Sequence, residues 1–256
     1  MEFIEESGRK SLLFLRIICF AVGGLVLASQ PAAAQTGGSA PARSLKIGII
    51  GSGKMGGSLG AFWAKAGHQI LFSSRHPEEL KDLVARVGPR SRAGTPQQAV
   101  AFGDVIFVAV PYAALPQIGR DLAAKLAGKV VIDASNPVPT RDGPMAEEAA
   151  KKGTGVASAE FLAGSRLVRA FNAINYNVLN SEAHRAGERL GIPIAGDDKE
   201  ALAIASRLVT DAGFDPVVVG PLARAKDFDR GSAVYVKPLT ARELRERLGL
   251  APSPKL

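Results

Sequence analysis

The sequence predicts an α/β fold: a doubly wound, mainly parallel sheet with a short helical extension at its carboxyl end. Three observations carry that expectation. Short apolar runs rich in Val and Ile alternate with amphipathic stretches at helical spacing. The first run, Leu45 to Ile50, stops at Gly51-x-Gly53-x-x-Gly56, and a helical pattern follows from Ser58 to Ala66. A second strand, His68 to Phe72, comes next, which places the glycines in the turn of a βαβ unit of Rossmann type. Aromatic residues make up only 6% of the 256, and small residues abound, as suits helices packed closely on a buried sheet.

Residues 1–34 read as a signal peptide. Gly8-Arg9-Lys10-Ser11 is a basic start, Ile17 to Ala28 is apolar, and Ala32-Ala33-Ala34 before Gln35 has a small-x-small cleavage pattern. The apolar run falls short of the ~20 residues a membrane span needs. Export to the periplasm is therefore expected. An uncleaved segment would instead be a membrane anchor, and a later start of translation would leave the protein cytoplasmic. Residues 35–44, rich in Gly, Ala, Ser and Pro, form a flexible linker. Residues 45–256 form the dinucleotide-binding domain, long and apolar enough for one substantial core.

Beyond the second strand, Pro77 to Val87 reads as a helix, with Pro77 in its first turn and Glu78-Glu79 at its positive end. Ser91 to Gly94 is a short third strand. Thr95 caps a helix that runs to Phe102. Asp104 to Val110 is a buried strand ending at Pro111, and Tyr112 to Ala127 is a helix stopped by Gly128. The next strand, Lys129 to Asp133, leads into Ala134-Ser135-Asn136-Pro137. Residues 138–153, punctuated by Pro139, Gly143 and Pro144, read as a loop with a short helix. Ala157 to Ala163 is helical, and Arg166 to Phe171 is a strand followed by Asn172. Strands Ile192 to Ala195 and Pro216 to Val219 flank a helix from Asp198 to Ala212. Thr240, with Glu243 three residues on, opens a final helix to Leu248.

Several function classes are excluded. The net charge of +8 is spread along amphipathic segments, without a basic run or interleaved aromatics, so no nucleic-acid partner is expected. The single cysteine, Cys19, lies in the amino-terminal segment, so the remainder holds no disulfide, cysteine nucleophile or cysteine zinc site. His68, His76 and His184 are scattered without metal-ligand spacing, and no metal is expected; His68 falls in a turn, where a structural role is expected. Glu147-Glu148 reads as a helix surface. No nucleophile elbow or Gly-Lys-Ser/Thr phosphate loop is present.

What remains is a dinucleotide site. Gly51, Ser52, Gly53, Lys54, Met55 and Gly56 would cradle a pyrophosphate at the positive end of a helix. The second strand ends in Ser73-Ser74-Arg75-His76, and no acid occurs between Gly67 and Pro77 to hold a free ribose hydroxyl. Two hydroxyls and a guanidinium suit a 2′-phosphate, which selects NADPH over NADH. Ligands of such sheets bind at the carboxyl ends of the strands. Those ends are Ala109, Val110 and Pro111, then Ser135, Asn136 and Pro137, then Asn172. The prolines can wall a flat ring, and Ser135, Asn136 and Asn172 are candidate contacts for a carboxamide or an acceptor ring. No protein acid or base is called for, because hydride transfer between two bound rings needs chiefly positioning.

The runs IGIIGSGKMGGSLGAFWAKAGHQILFSSR, FVAVPY, IDASNP, LVRAFNAINYNVL and PIAGDDKEALAIASRLVTDAGFDPVVVGPLARA together resemble the NADPH-dependent reductases of the deazaflavin coenzyme F-420. They are also similar to the cytosolic reductase domain of the Steap metalloreductases. The resemblance covers Leu45 to Arg230. It implies NADPH along Gly51 to Gly56, with Ser74 and Arg75 on the 2′-phosphate. It also implies a flavin or deazaflavin held against the nicotinamide near Ser135 to Pro137 and Asn172. Lys54 stands where such a loop carries a small polar residue.

The function expected is hydride transfer between NADP(H) and a flavin-type or deazaflavin-type acceptor. A dehydrogenase of the imine or β-hydroxyacid type is one alternative. Such enzymes carry a long helical carboxyl domain, against which the β-rich stretch from Arg166 to Val219 argues. A non-catalytic dinucleotide-sensing module is another. A membrane partner is expected only for an uncleaved amino terminus, and a homodimer is compatible with the sequence.

Overall fold

The protein is described by a computed structural model over residues 43–252. The expected signal peptide and nearly all of the linker lie outside the described residues. Eight strands form one sheet in the order β3-β2-β1-β4-β5-β6-β7-β8. They are β1 (Lys46–Ile50), β2 (Gln69–Ser73), β3 (Ser91–Gly94), β4 (Val105–Val108), β5 (Val130–Asp133), β6 (Arg166–Arg169), β7 (Gly191–Gly196) and β8 (Asp215–Gly220). Every neighbouring pair is parallel except β6 and β7. The doubly wound, mainly parallel reading therefore holds, with the last two strands running against the first six.

Helices connect the strands: α1 (Lys54–Lys65), α2 (Lys81–Val87), α3 (Pro96–Phe102), α4 (Leu115–Leu126), α5 (Pro139–Asp142), α6 (Pro144–Lys152), α7 (Thr154–Phe161), α8 (Tyr176–Glu182), α9 (Lys199–Asp211) and α10 (Ala241–Arg247). None among the described residues is long and apolar enough to cross a membrane. Three expectations are corrected. Helix α1 begins at Lys54, inside the glycine triplet, because extended Gly53 serves as its cap. Residues 138–153 hold two helices, with Pro139 and Pro144 each in a first turn, where the missing N–H costs nothing. Helix α8 was not expected; Asn175 caps it, its side chain accepting from the N–H of Asn177 at 2.8 Å.

Alternation along the strands builds a core on each face of the sheet. Ile47 and Ile49 join Phe72 and Phe107 under α1 and α9, whereas Ile50, Ile106 and Val108 meet Leu115 and Leu122 on the other side. Trp63 is the hub of the first face. Its ring meets Phe107 and Phe171 edge-on at 5.2 and 6.0 Å, and its Nε1–H donates to Leu208 O at 2.8 Å. Those contacts tie α1 to the sheet and to α9. His68 is structural: Nδ1 accepts from Leu45 N–H at 3.1 Å, which leaves Nε2 as the donor to Asp211 at 2.9 Å. Glu147 and Glu148 are exposed on α6. Helix α10 opens with the expected reciprocal pair, Glu243 N–H to Thr240 Oγ1 and Thr240 N–H to Glu243 Oε2, and buries Leu244.

Candidate functional site

The three glycines do different work. Gly51 has φ +95°, and a Cβ there would strike the carbonyl of Ala109. A Cβ on Gly56 would strike the carbonyl of Gly51. Both glycines are therefore required by the turn itself. Gly53 is not: its backbone is extended, it is exposed, and a Cβ there would meet nothing within 4 Å. Packing gives no reason for glycine at this position, whereas close approach of a ligand to the main chain does. Beyond it, α1 starts without a side-chain cap and without an acid in its first turn, so its first N–H groups and positive end are left to an anion.

A cleft of about 750 Å³ opens at this point, lined by Gly51, Ser52 and Gly53, by Ser73, Ser74 and Arg75, and by Val110 and Pro111. Further walls come from the start of α3 (Thr95, Pro96, Gln97) and from Gln117, Ile118 and Asp121 on α4. These were not anticipated, because no local motif marks a helix that folds back across the strand ends. Ser52 Oγ donates to Ser73 O at 3.1 Å and ties the glycine loop to the end of β2. Ser73 Oγ donates to Ile49 O at 2.7 Å and is buried, so its proton is spent on the sheet. Ser74 Oγ accepts from His76 N–H at 3.0 Å and keeps its own proton to give. Arg75 is exposed, and no described residue engages it.

Lys54, Met55 and Ala109 are placed differently. Lys54 Nζ donates to the Tyr176 hydroxyl at 3.0 Å and lies 4.5 Å from the centre of that ring. The Lys54 hydrogen bond and charge hold the Tyr176 phenol below its ordinary range. Met55 and Ala109 are partly buried against the core and do not line the cleft.

Ser135, Asn136, Pro137 and Asn172 do not line this cleft. The structure instead joins Asn136 to Asn172, Nδ2 donating to the Asn172 carbonyl at 2.7 Å, above a cluster that the sequence left unread. Arg169 is fully buried at the end of β6, its Nη1 2.7 Å from both Asp133 Oδ2 and the Ser135 carbonyl. Its Nη2 donates to Asp229 Oδ1 at 3.0 Å. Burial works against the guanidinium charge, but the two carboxylates outweigh it and hold its pKa above the usual arginine value. Arg141 holds the next carbonyl, Asn136 O, at 2.7 Å. Three polar atoms of the segment stay buried without a partner among the described residues: Ser135 Oγ, Asn136 Oδ1 and Asn172 Oδ1. Unmet acceptors at the carboxyl ends of parallel strands are what a bound ring with N–H groups would satisfy.

Comparison with known proteins agrees with this architecture. A family model described as NADP oxidoreductase, coenzyme F420-dependent, matches residues 46–137. The metalloreductase STEAP3 of Rattus norvegicus is 31% identical over 199 residues, covering 74% of this chain and 36% of that protein. The chain thus spans about a third of the length of the curated metalloreductases it matches. Among solved structures, the hypothetical protein SMa0349 of Sinorhizobium meliloti superposes with a TM-score of 0.68 at 25% identity, over 77% of this chain and 96% of that one. A structure assigned as an F420-dependent NADP reductase, from Arthrobacter sp. FB24, shares the fold with a TM-score of 0.63 at 20% identity, over 72% of this chain and 88% of its own. The resemblance to the coenzyme F420-dependent NADP oxidoreductase family is thus supported through residues 46–137.

Proposed function

We propose that the protein is an NADPH-dependent oxidoreductase that moves hydride between NADP(H) and a flavin or deazaflavin ring. The observation that carries this reading is Gly53, a glycine the fold does not need at the mouth of the cleft. The residues present fit the nucleotide. The free N–H groups opening α1 would take the pyrophosphate, and Arg75 with the Ser74 hydroxyl would take the 2′-phosphate. Pro111 would wall the cleft without adding a donor. When bound, the nucleotide supplies the hydride, and the protein supplies position and exclusion of water.

The acceptor end follows from donor and acceptor type. Ser135, Asn136 and Asn172 offer unmet oxygens, while the main-chain carbonyls beside them are held by Arg169 and Arg141. A planar ring bearing N–H groups is the complement. The flavin-type acceptor of the related reductases is such a ring.

The test is a screen of riboflavin, FMN and a deazaflavin as acceptors with purified protein, followed by loss of NADPH absorbance. Turnover with at least one ring, and a higher kcat/KM for NADPH than for NADH, is expected. NADPH binding without oxidation by any of them would favour a dinucleotide-sensing module.

A further inference from the structure

Asn172 and Asn136 are oriented by partners that leave them no choice. Asn172 Nδ2 donates to Asp229 Oδ1 at 3.1 Å, and Asn136 Nδ2 donates to the Asn172 carbonyl at 2.7 Å. A carboxylate and a carbonyl only accept, so neither amide can turn around. Each Oδ1 is thereby fixed on the opposite side, buried and unmet. Asp229 is itself immobilised, with Oδ1 taking Arg169 Nη2 and Oδ2 taking Thr154 N–H at 3.1 Å.

Backbone strain gathers at the same place. Phe171, buried and immediately before Asn172, has φ +63°, and Val236 has φ +51°. Val236 N–H donates to Ala173 O at 3.0 Å, so the segment that carries Asp229 also clamps the residue after Asn172. Left-handed backbone at an aromatic and at a β-branched residue persists only where surrounding contacts over-determine it, and such outliers gather at ligand sites.

We propose that Asp229, held by Arg169, is a positioning residue: it fixes the Asn172 amide beside the Asn136 amide, which the Asn172 main-chain carbonyl holds, so that two side-chain oxygens receive amide-type N–H donors of a bound ring. This rests on the hydride-transfer reading for the identity of the ring. Two rings of that reaction carry the donor, the nicotinamide through its carboxamide and the flavin-type ring through its imide.

Calorimetric titration of the full chain separates them. One arm compares NADP+ with its 3-acetylpyridine analogue, in which a methyl group replaces the carboxamide nitrogen. The other compares riboflavin with N3-methylriboflavin in the presence of NADP+. In the wild type, the member bearing the N–H donor should bind about tenfold more tightly in one of the two pairs. The pair that shows the ratio identifies the ring. Asp229→Asn should abolish most of that ratio, because one amide oxygen cannot meet all three donors around the carboxylate (Arg169 Nη2, Asn172 Nδ2 and Thr154 N–H), and the hold on the Asn172 amide is loosened. A purely structural Asp229 would lower Tm and leave the ratio intact. Asn136→Ala spares Arg169 and Asp229, and it should lose the same ratio even if Asp229→Asn fails to fold. Equal affinities within both wild-type pairs, or a ratio that survives in Asn136→Ala and in folded Asp229→Asn, overturn the proposal. A ratio that behaves as expected in a protein without turnover would overturn only the hydride-transfer reading.

Discussion

At the scale of single residues, Arg75 and Gly53 make opposite demands on a ligand. Arg75 offers a charge that no partner among the described residues consumes. A charge-assisted hydrogen bond contributes ~1.5–3 kcal/mol net, and 1.4 kcal/mol is a factor of ten. Arg75→Ala should therefore weaken NADPH binding about ten- to a hundredfold while NADH, which lacks the phosphate, changes little. Ser74→Asp should go further by repelling the phosphate and accepting from a free ribose hydroxyl. Calorimetry with both nucleotides decides it, and equal losses for both would mean that Arg75 serves the fold or the adenine. Gly53 offers empty space instead. Gly53→Ala should leave stability within ~1 kcal/mol, since a Cβ meets nothing and the stiffer unfolded chain offsets the poorer helix cap. Dinucleotide affinity should fall on the order of tenfold or more, because the new methyl would stand where the proposed site brings the phosphate. Unchanged affinity in a folded Gly53→Ala would remove the observation on which the proposed function rests.

At the scale of elements, what the sequence revealed was whatever local chemistry dictates. The β1–α1–β2 unit was legible because strand, glycine turn and helix lie within thirty residues and each has its own signature. Helices α5 and α6 were not, because Pro and Gly there read equally as loop breakers or as helix openers. Helix α8 is seven residues long with a single fully buried side chain, Leu179, too little to set up a helical period. The Arg169 cluster was illegible for another reason. Its partners Asp133 and Asp229 lie 36 and 60 residues away, the first brought by the neighbouring strand β5 and the second by the segment after β8. The same is true of Arg166, which opens β6 and binds Asp198 at 2.8 and 2.6 Å and Glu200 at 2.7 Å across to α9. Asp198 also caps α9 through Ala201 N–H at 2.8 Å. The Arg166 hydrogen bond is the main reason its pKa falls from 3.8 to about 2. A depressed folded-state value gives stability that is present above the unfolded value and is lost as pH falls toward the folded one. Acid denaturation should therefore lose the Asp198 contribution between about pH 4 and pH 2. Asp198→Asn should flatten the stability profile in that window and leave it unaltered in shape near neutrality. Parallel acid profiles for the two proteins would show that the pair contributes nothing to holding α9 on the sheet.

At the scale of the whole molecule, one sheet carries both the cleft at the glycine loop and the Arg169 cluster, and the sole tryptophan reports on its centre. Trp63 lies in α1, three turns from the glycine loop, yet it touches β4 through Phe107, the strained Phe171 beside Asn172, and α9 through Leu208. Its fluorescence should thus register loss of the glycine-loop half and of the Asn172 half in a single transition. Any ligand that binds only the folded state adds RT ln(1 + [L]/Kd), or ~2.7 kcal/mol at a hundredfold excess over Kd. For a body of this size each kcal/mol moves Tm by roughly 2–4 °C, so saturating NADPH should raise the Trp63 transition by roughly 5–10 °C. At equal concentration NADH should give a much smaller rise, and Arg75→Ala should bring the two nucleotides together. The same melt checks the continuity of the sheet across its antiparallel junction between β6 and β7. Melting followed by Trp63 emission and by far-ultraviolet circular dichroism should coincide, with and without nucleotide. Two separated transitions, with NADPH moving only one, would show that the β7–α9–β8 portion unfolds independently of the nucleotide cleft. Binding at the glycine loop could not then stabilise the segment after β8 whose Asp229 holds the Asn172 amide.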